Sequence, residues 1–270
     1  MGSAPRRAGH AGVGHSRGAA GRRRYRRRGD RPGGARPLCR HPATAPEVST
    51  QPGFFHVVYT TRALRRFRSD PVPDEVLFQL FDAAIRAPSG QNAQDWRFII
   101  VRDRRVKERM QEWALQAWQR YAERFPDIDS LPRSQRLSLR SVEHLARNFS
   151  DVPVVVIVCG LRGRHTTPGG SIFPAVQNML LAARALGLGG SIFNLALGDR
   201  ETLRQLLGIP ESNEIFCALP LGYPSDRHGP VRRKPVKDVV FEERWGQRWA
   251  FAQAQPDEGW QARWLPAEEG

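Results

Sequence analysis

The 270-residue chain has little cysteine, almost no lysine and no long apolar run. Its three cysteines, Cys39, Cys159 and Cys217, stand far apart. They form no CxxC pair and no Cys/His set at zinc spacing, which argues against a disulfide framework and a metal site. So sparse a thiol pattern points to a reducing cytoplasm. The longest apolar run, Val152–Cys159, falls well short of the roughly 20 residues that cross a bilayer. It suits a buried strand, and no membrane partner is expected. The N-terminus is basic but lacks the continuous apolar segment of a secretory signal. Nucleotide and hydrolase signatures are missing too. Gly187-Leu188-Gly189 opens a dinucleotide fingerprint, but Ile192 occupies the third glycine position and the stretch follows a helical pattern. No Gly-Lys-Ser/Thr exists for a phosphate-binding P-loop. Gly169-Gly170-Ser171 and Gly189-Gly190-Ser191 both lack the closing glycine of a nucleophile elbow, having Phe173 and Phe193 instead. The seven histidines show no metal-binding pair, and each reads best as a surface or satisfied residue.

What is present is ordinary in bulk: 40% hydrophobic and 26% charged residues. The net charge of +15 is unusual. Twelve arginines in residues 1–47 face only Asp30 and Glu47, so the arm holds +10 and the rest of the chain +5. Three lysines stand against 39 arginines, a ratio that suggests codon usage more than selection for nucleic acid. Residues 1–50 are Gly, Arg, Ala and Pro with too little apolar surface to offset ordering entropy, and are expected to be disordered. An inert extension or a misplaced start is the favoured reading of this arm. Counterion release would drive nucleic-acid binding through it. Yet the cluster Arg22–Arg28 has a single aromatic, Tyr25, so base stacking is nearly absent and a nucleic-acid partner is not expected. A transit peptide is a minor alternative.

From residue 51 the composition becomes globular, giving a body over 51–240 and a C-terminal extension over 241–270 that is rich in tryptophan. Asp74 is expected to cap a helix that ends at Pro88. Trp96–Val101 reads as a strand, 103–124 and 132–148 as helices, and the β-branched Val152–Cys159 as a central strand. Pro174–Leu186 is a helix apolar on most faces, followed by a short strand near Ser191. Asp199 caps a helix closed by Gly208, and Glu214–Leu221 is a further strand. Two helices in a row between strands favour an α+β class, a mixed α/β sandwich, over a doubly wound sheet.

Three segments carry chemistry. Thr61-Arg62-Ala63-Leu64-Arg65-Arg66-Phe67 is a dense arginine patch, and guanidinium forks match phosphate oxygens. Ala87-Pro88-Ser89-Gly90-Gln91-Asn92-Ala93-Gln94-Asp95-Trp96 is a polar loop suited to a polar heterocycle or sugar chain. Arg232-Arg233-Lys234-Pro235, after Leu221-Gly222-Tyr223-Pro224, is a second phosphate-suited cluster. Each alone also reads as a solvated basic face or a plain turn. Together with the greasy helix before Gly187-Leu188-Gly189-Gly190-Ser191-Ile192-Phe193-Asn194, and in this order, they resemble the FMN-dependent nitroreductase family over Tyr59 to Val240.

The resemblance implies an intertwined homodimer with a mostly antiparallel central sheet and FMN at the subunit interface. It assigns the FMN phosphate to Arg62, Arg65 and Arg233, and puts Ala63 where the family often has serine, with Arg66 compensating. Pro88, Ser89 and Gly90 would approach the flavin ring from the other subunit. Asn92 would bond the ribityl chain or the ring's polar edge. Ile192, Phe193 and Asn194 would cover a ring face, with a backbone N–H meeting flavin N5. The implied reaction is ping-pong transfer of electrons from NADH or NADPH, through flavin N5, to an electron-poor small molecule such as a nitroaromatic or quinone. It needs no catalytic side chain and no metal. Reductive dehalogenation, flavin fragmentation and dehydrogenation are same-fold alternatives. A flavin-sequestering protein without turnover is an alternative of another class. Trp113, Trp118, Tyr121 and Phe125 read as a pocket lid or as ordinary helix packing.

Overall fold

The computed structural model describes residues 52–163 and 167–255. The arginine-rich arm, Cys39, His165, Trp260 and Trp264 lie outside the described residues. Four strands form one antiparallel sheet, in the order β1 (Trp96–Val101), β2 (Val154–Leu161), β4 (Asn213–Gly222), β3 (Gly189–Gly190). The class is α+β, with a helical layer on each face. β2 is apolar on both faces because both are covered. Val154, Val156 and Val158 pack on one layer, while Val155, Ile157 and Cys159 pack on the other. The first layer is α2 (Asp74–Ala84) and α5 (Ile172–Ala185). The second is α3 (Arg104–Ala122), α4 (Arg133–Arg147) and α6 (Arg200–Leu207). A bulge opposite Val158 and Cys159 leaves Phe216 unpaired, so Phe216 and its neighbour Cys217 both serve the first layer.

Two helices, α3 and α6, start on side-chain caps. Asp103 accepts from the Arg105 and Val106 amides at 2.7 and 3.3 Å, starting α3. Asp199 does the same for α6, which Gly208 ends in the left-handed region at φ 63°. Asp74 is a correction: Pro73 occupies the cap position and Asp74 is the first helical residue, its carboxylate meeting Arg102 at 2.5 Å. The short strand also moves. Pairing falls on Gly189 and Gly190, and a Cβ on Gly190 would sit 2.5 Å from Leu221 Cδ2, so a larger residue there would have to displace the Leu221 side chain. Beyond it the chain turns inward to bury Phe193. Trp113 and Trp118 are 8% and 4% exposed in the second layer, so the lid reading gives way to helix packing for both. Tyr121, 37% exposed, and Phe125 form the outer end of that cluster.

One helix has no clear signal in the sequence. α1 (Phe54–Thr60) buries only Val57 and Thr60, leaving Phe54 and Phe55 exposed, so apolar spacing does not mark it. The C-terminal segment contains two single-turn helices, α7 (Val236–Val239) and α8 (Ala250–Gln253). They are tied by Arg248 donating to the Lys237 carbonyl at 2.7 Å. Trp245 on this segment is 92% exposed.

Candidate functional site

Residues 60–68 run as an extended cord between two other segments. On one side the Leu64 amide donates to the Gly190 carbonyl at 3.2 Å, and Ala63 bridges Gly190 in parallel. On the other, the Arg68 and Ser225 amides bond the Tyr223 and Arg66 carbonyls at 2.8 and 3.1 Å. The Gly229 and Val231 amides reach back to the Thr60 and Tyr59 carbonyls at 3.3 and 3.2 Å. Three segments distant in sequence are thereby zipped at the β3 edge of the sheet.

The zip creates a cleft of ≈ 330 Å³. Its walls are apolar, from Val58, Leu180, Leu188 and Ile192. Its polar groups are Arg62, Arg233, His228, Gln177, Ser191 and Thr61, with no carboxylate among the lining residues. Among the described residues, neither Arg62 nor Arg233 has an acidic partner; Arg233 donates only to its neighbour's carbonyl, that of Arg232. The Ser191 hydroxyl oxygen is buried and has no hydrogen-bond partner among the described residues. A buried unpaired hydroxyl costs on the order of 1–3 kcal/mol, which is tolerable where a ligand supplies the partner. The volume lies in the range of small-molecule sites, roughly 300–1,000 Å³. Two cations, an orphaned hydroxyl and apolar walls without an acid suit a ligand that is part anion and part flat ring.

Four of the expected site residues meet in this cleft: Arg62, Ala63, Ile192 and Arg233. Arg65 and Arg66 lie on the same cord but do not line it. Arg65 is half-buried with its Nε unpartnered, and burial lowers its pKa. Arg66 points to Asp226, 3.8 Å away. Phe193 faces inward, stacked on Phe149 with ring centroids 5.7 Å apart. The Asn194 side chain accepts from the Ala218 amide at 3.3 Å, which anchors the turn after β3. Neither side chain lines the cleft.

Pro88, Ser89, Gly90 and Asn92 form a separate exposed loop before β1. The Gly90 amide donates to Ser171 Oγ at 3.2 Å, and Ser89 Oγ accepts from the Gln94 amide at 3.1 Å. Gln91, Asn92 and Gln94 all have positive φ, 54°, 54° and 52°. Non-glycine residues in that region store strain, which persists where the surroundings over-determine it. Gln94 Nε2 donates to Asn92 Oδ1 at 3.2 Å, so the Asn92 amide NH2 is turned outward as a donor.

His228, Ser191 and Gln177 are site residues that sequence reasoning missed. No spacing rule joins them, and only the tertiary zip does. The two described thiols are not activated. Burial, with only slight relief from Arg204 and Arg200, pushes the thiols of Cys159 and Cys217 up to about 11 and about 12. Among the described residues no cluster of three or more His, Cys, Asp or Glu could hold a metal ion. No described helix is long and apolar enough to cross a membrane.

Sheet, layers and cleft define an α+β protein with an arginine-lined, acid-free cleft at one edge of the sheet. Comparison with known proteins then gives the family: residues 58–223 match the model of the Nitroreductase family, and the chain belongs to it. It is 31% identical over 190 residues to a protein named NADH dehydrogenase from Thermus thermophilus, a match covering 67% of this chain and 91% of that one. It is 26% identical over 179 residues to an iodotyrosine deiodinase from Thermotoga neapolitana, covering 66% and 91%. Among solved structures, a nitroreductase with bound FMN from Desulfitobacterium hafniense superposes with a TM-score of 0.55 at 25% identity, over 71% of this chain and 98% of that one.

Proposed function

We propose that this oxidoreductase of the nitroreductase family binds FMN in the cleft, and moves electrons from NADH or NADPH to an electron-poor small molecule such as a nitroaromatic or a quinone. The observation that carries the reading is the acid-free cleft in which Arg62 and Arg233 stand beside the unpartnered Ser191 hydroxyl. The residues fit the group. A phosphate monoester satisfies both guanidinium forks, and the hydroxyl gains a partner. Val58, Leu180, Leu188 and Ile192 offer an apolar surface to a flat ring system. FMN bound there supplies reversible two-electron chemistry, and the protein supplies binding, orientation and electrostatics.

The chain's own residues act by holding and by excluding water. Arg62 and Arg233 retain the phosphate, and Ser191 fixes a polar atom at the cleft floor. Phe193, packed behind Ile192 on Phe149, keeps that wall rigid. Asn92 presents amide donors from the strained loop, and we assign their acceptor to the flavin of a second copy of the chain. Large apolar side chains are exposed in number, among them Phe54, Phe78, Phe173, Trp245 and Phe251, and monomers rarely leave so much uncovered. That supports a homodimer in which each copy's loop, Pro88 to Asn92, closes its partner's cleft. No side-chain acid or base is assigned.

Donor and acceptor would use the same open face of the cleft in turn. Steady-state rates with varied NADH or NADPH, at several acceptor concentrations, should therefore give parallel double-reciprocal lines. Converging lines would show both substrates bound together and overturn the single-face reading. The likeness to an iodotyrosine deiodinase favours one second reading, reductive dehalogenation. Nitroaromatics, quinones and halogenated phenols assayed side by side separate the two.

A further inference from the structure

One titratable group in the cleft, His228, has no part in the retention of FMN described above. It lies on the loop that also brings Arg233, and its Nε2 is 3.0 Å from the Leu188 carbonyl. A carbonyl oxygen only accepts, so Nε2 carries hydrogen in either charge state, and the charge of the ring is decided at Nδ1. Nδ1 is buried and makes no hydrogen bond among the described residues. Several groups face the ring from the elements packed around it. Arg184 of α5 is held by Thr60 Oγ1 at 3.1 Å and by His56 Nε2 at 3.0 Å. Arg62 comes from the cord, and Arg233 lines the same cleft. The loop's own acid, Asp226, is turned to Arg66, 3.8 Å away. Burial first, and then Arg184 and Arg62, hold the ring below its ordinary pKa, against the pull of the Leu188 and Thr60 carbonyls. Burial, with Arg184 of α5 and Arg62 of the cleft wall, therefore disfavours the charged ring.

We propose that His228 becomes a third cation beside the phosphate monoester held between Arg62 and Arg233, and that it takes up a proton as the anion binds. The proposal rests on the FMN reading. An anion between Arg62 and Arg233 offsets part of the penalty on the charged ring. The ring then gains a proton at Nδ1 from the buffer and returns it when the anion leaves, with no covalent bond made or broken. Affinity is therefore highest at low pH. It falls as pH rises through the pKa that His228 has in the complex, at up to about tenfold per pH unit.

The test uses the full chain freed of FMN. Calorimetric titration with FMN at pH 7.5, in buffers of different ionisation enthalpy, counts the protons taken up. His228→Gln retains a donor for the Leu188 carbonyl but cannot titrate. His228→Lys is a permanent cation. The wild type should take up a net fraction approaching one proton, and H228Q none. The FMN dissociation constant of H228Q should be independent of this ionisation, and equal to the wild-type value at high pH. H228K should regain the tight binding at pH 8 without uptake. Riboflavin, which lacks the phosphate, should bind all three without uptake. Equal proton counts for wild type and H228Q overturn the proposal and leave FMN binding intact. Failure of the wild type to bind FMN overturns the parent reading and the proposal with it. Should H228Q not fold, the wild-type count decides. Pairing with arginine lowers the phosphate's own pKa, so the phosphate can only release protons, and a count of zero or below contradicts the assignment.

Discussion

In the proposed reading, retention of FMN turns on Arg62 and Arg233. Each would contribute a charge-assisted hydrogen bond, worth roughly 1.5–3 kcal/mol. Arg233→Ala or Arg62→Ala should then weaken FMN binding about tenfold to a hundredfold while leaving riboflavin binding unchanged. The comparison of the two flavins by fluorescence quenching checks this, and an equal loss for both would assign the arginines to folding instead. Residue by residue, the site was legible where a side chain's chemistry repeats in a local pattern. Arg62, Ala63, Ile192 and Arg233 belong to such patterns, and the structure brings them to one cleft. His228 and Ser191 were not legible. Their roles come from what the Leu188 carbonyl and the buried floor of the cleft do to them, and those neighbours are 40 residues away or set by the fold. Arg65 shows the opposite limit, since the arginine spacing in the cord says nothing of which guanidinium faces the cleft.

At the scale of elements, periodicity and caps located most of the fold. β1 begins and ends where the apolar run does, and the Asp103 and Asp199 caps hold their helices. The misses have a common cause, which is burial supplied from outside the element. α1 leaves Phe54 and Phe55 exposed, and in β3 Gly190 packs on Leu221 of β4 while Gly189 packs on Leu64 and Pro224. Trp113 looked like a pocket aromatic yet is the packing partner of Gly198. That glycine has φ 56°, and a Cβ there would sit 2.3 Å from the Trp113 ring. Gly198→Ala should therefore cost about 2–4 kcal/mol, through strain and overpacking together. Gly208→Ala has a similar φ of 63° but open space, and should cost only about 1 kcal/mol. Urea unfolding of both variants checks the order, and equal costs would mean that Trp113 simply moves aside.

For the whole molecule, two histidines contribute to the acid side of stability. His144 and His228 are both held below the ordinary value of 6.5, in each case first by burial. Arg66 adds to the effect on His144, and Arg184 and Arg62 to that on His228. The folded state then binds fewer protons than the unfolded one below pH 6.5. Their contribution is complete above that value and is lost as pH falls through the folded-state pKa values. The melting temperature of FMN-free protein should be flat from pH 8 to 7, and decline from about pH 6.5 downward, before the carboxylates titrate. A flat profile down to pH 5 would remove both histidines from the account. The proposed dimer belongs to the same scale, because large apolar side chains such as Phe54, Phe78 and Trp245 are exposed among the described residues. The central claim, that the arginine-lined cleft makes this chain an FMN oxidoreductase, is tested most directly by the absorbance spectrum of the protein loaded with FMN, recorded anaerobically before and after NADH or NADPH is added. The account predicts a bound-flavin spectrum that bleaches with one of the two donors. Absence of a bound flavin, or a spectrum that neither donor changes, would contradict it.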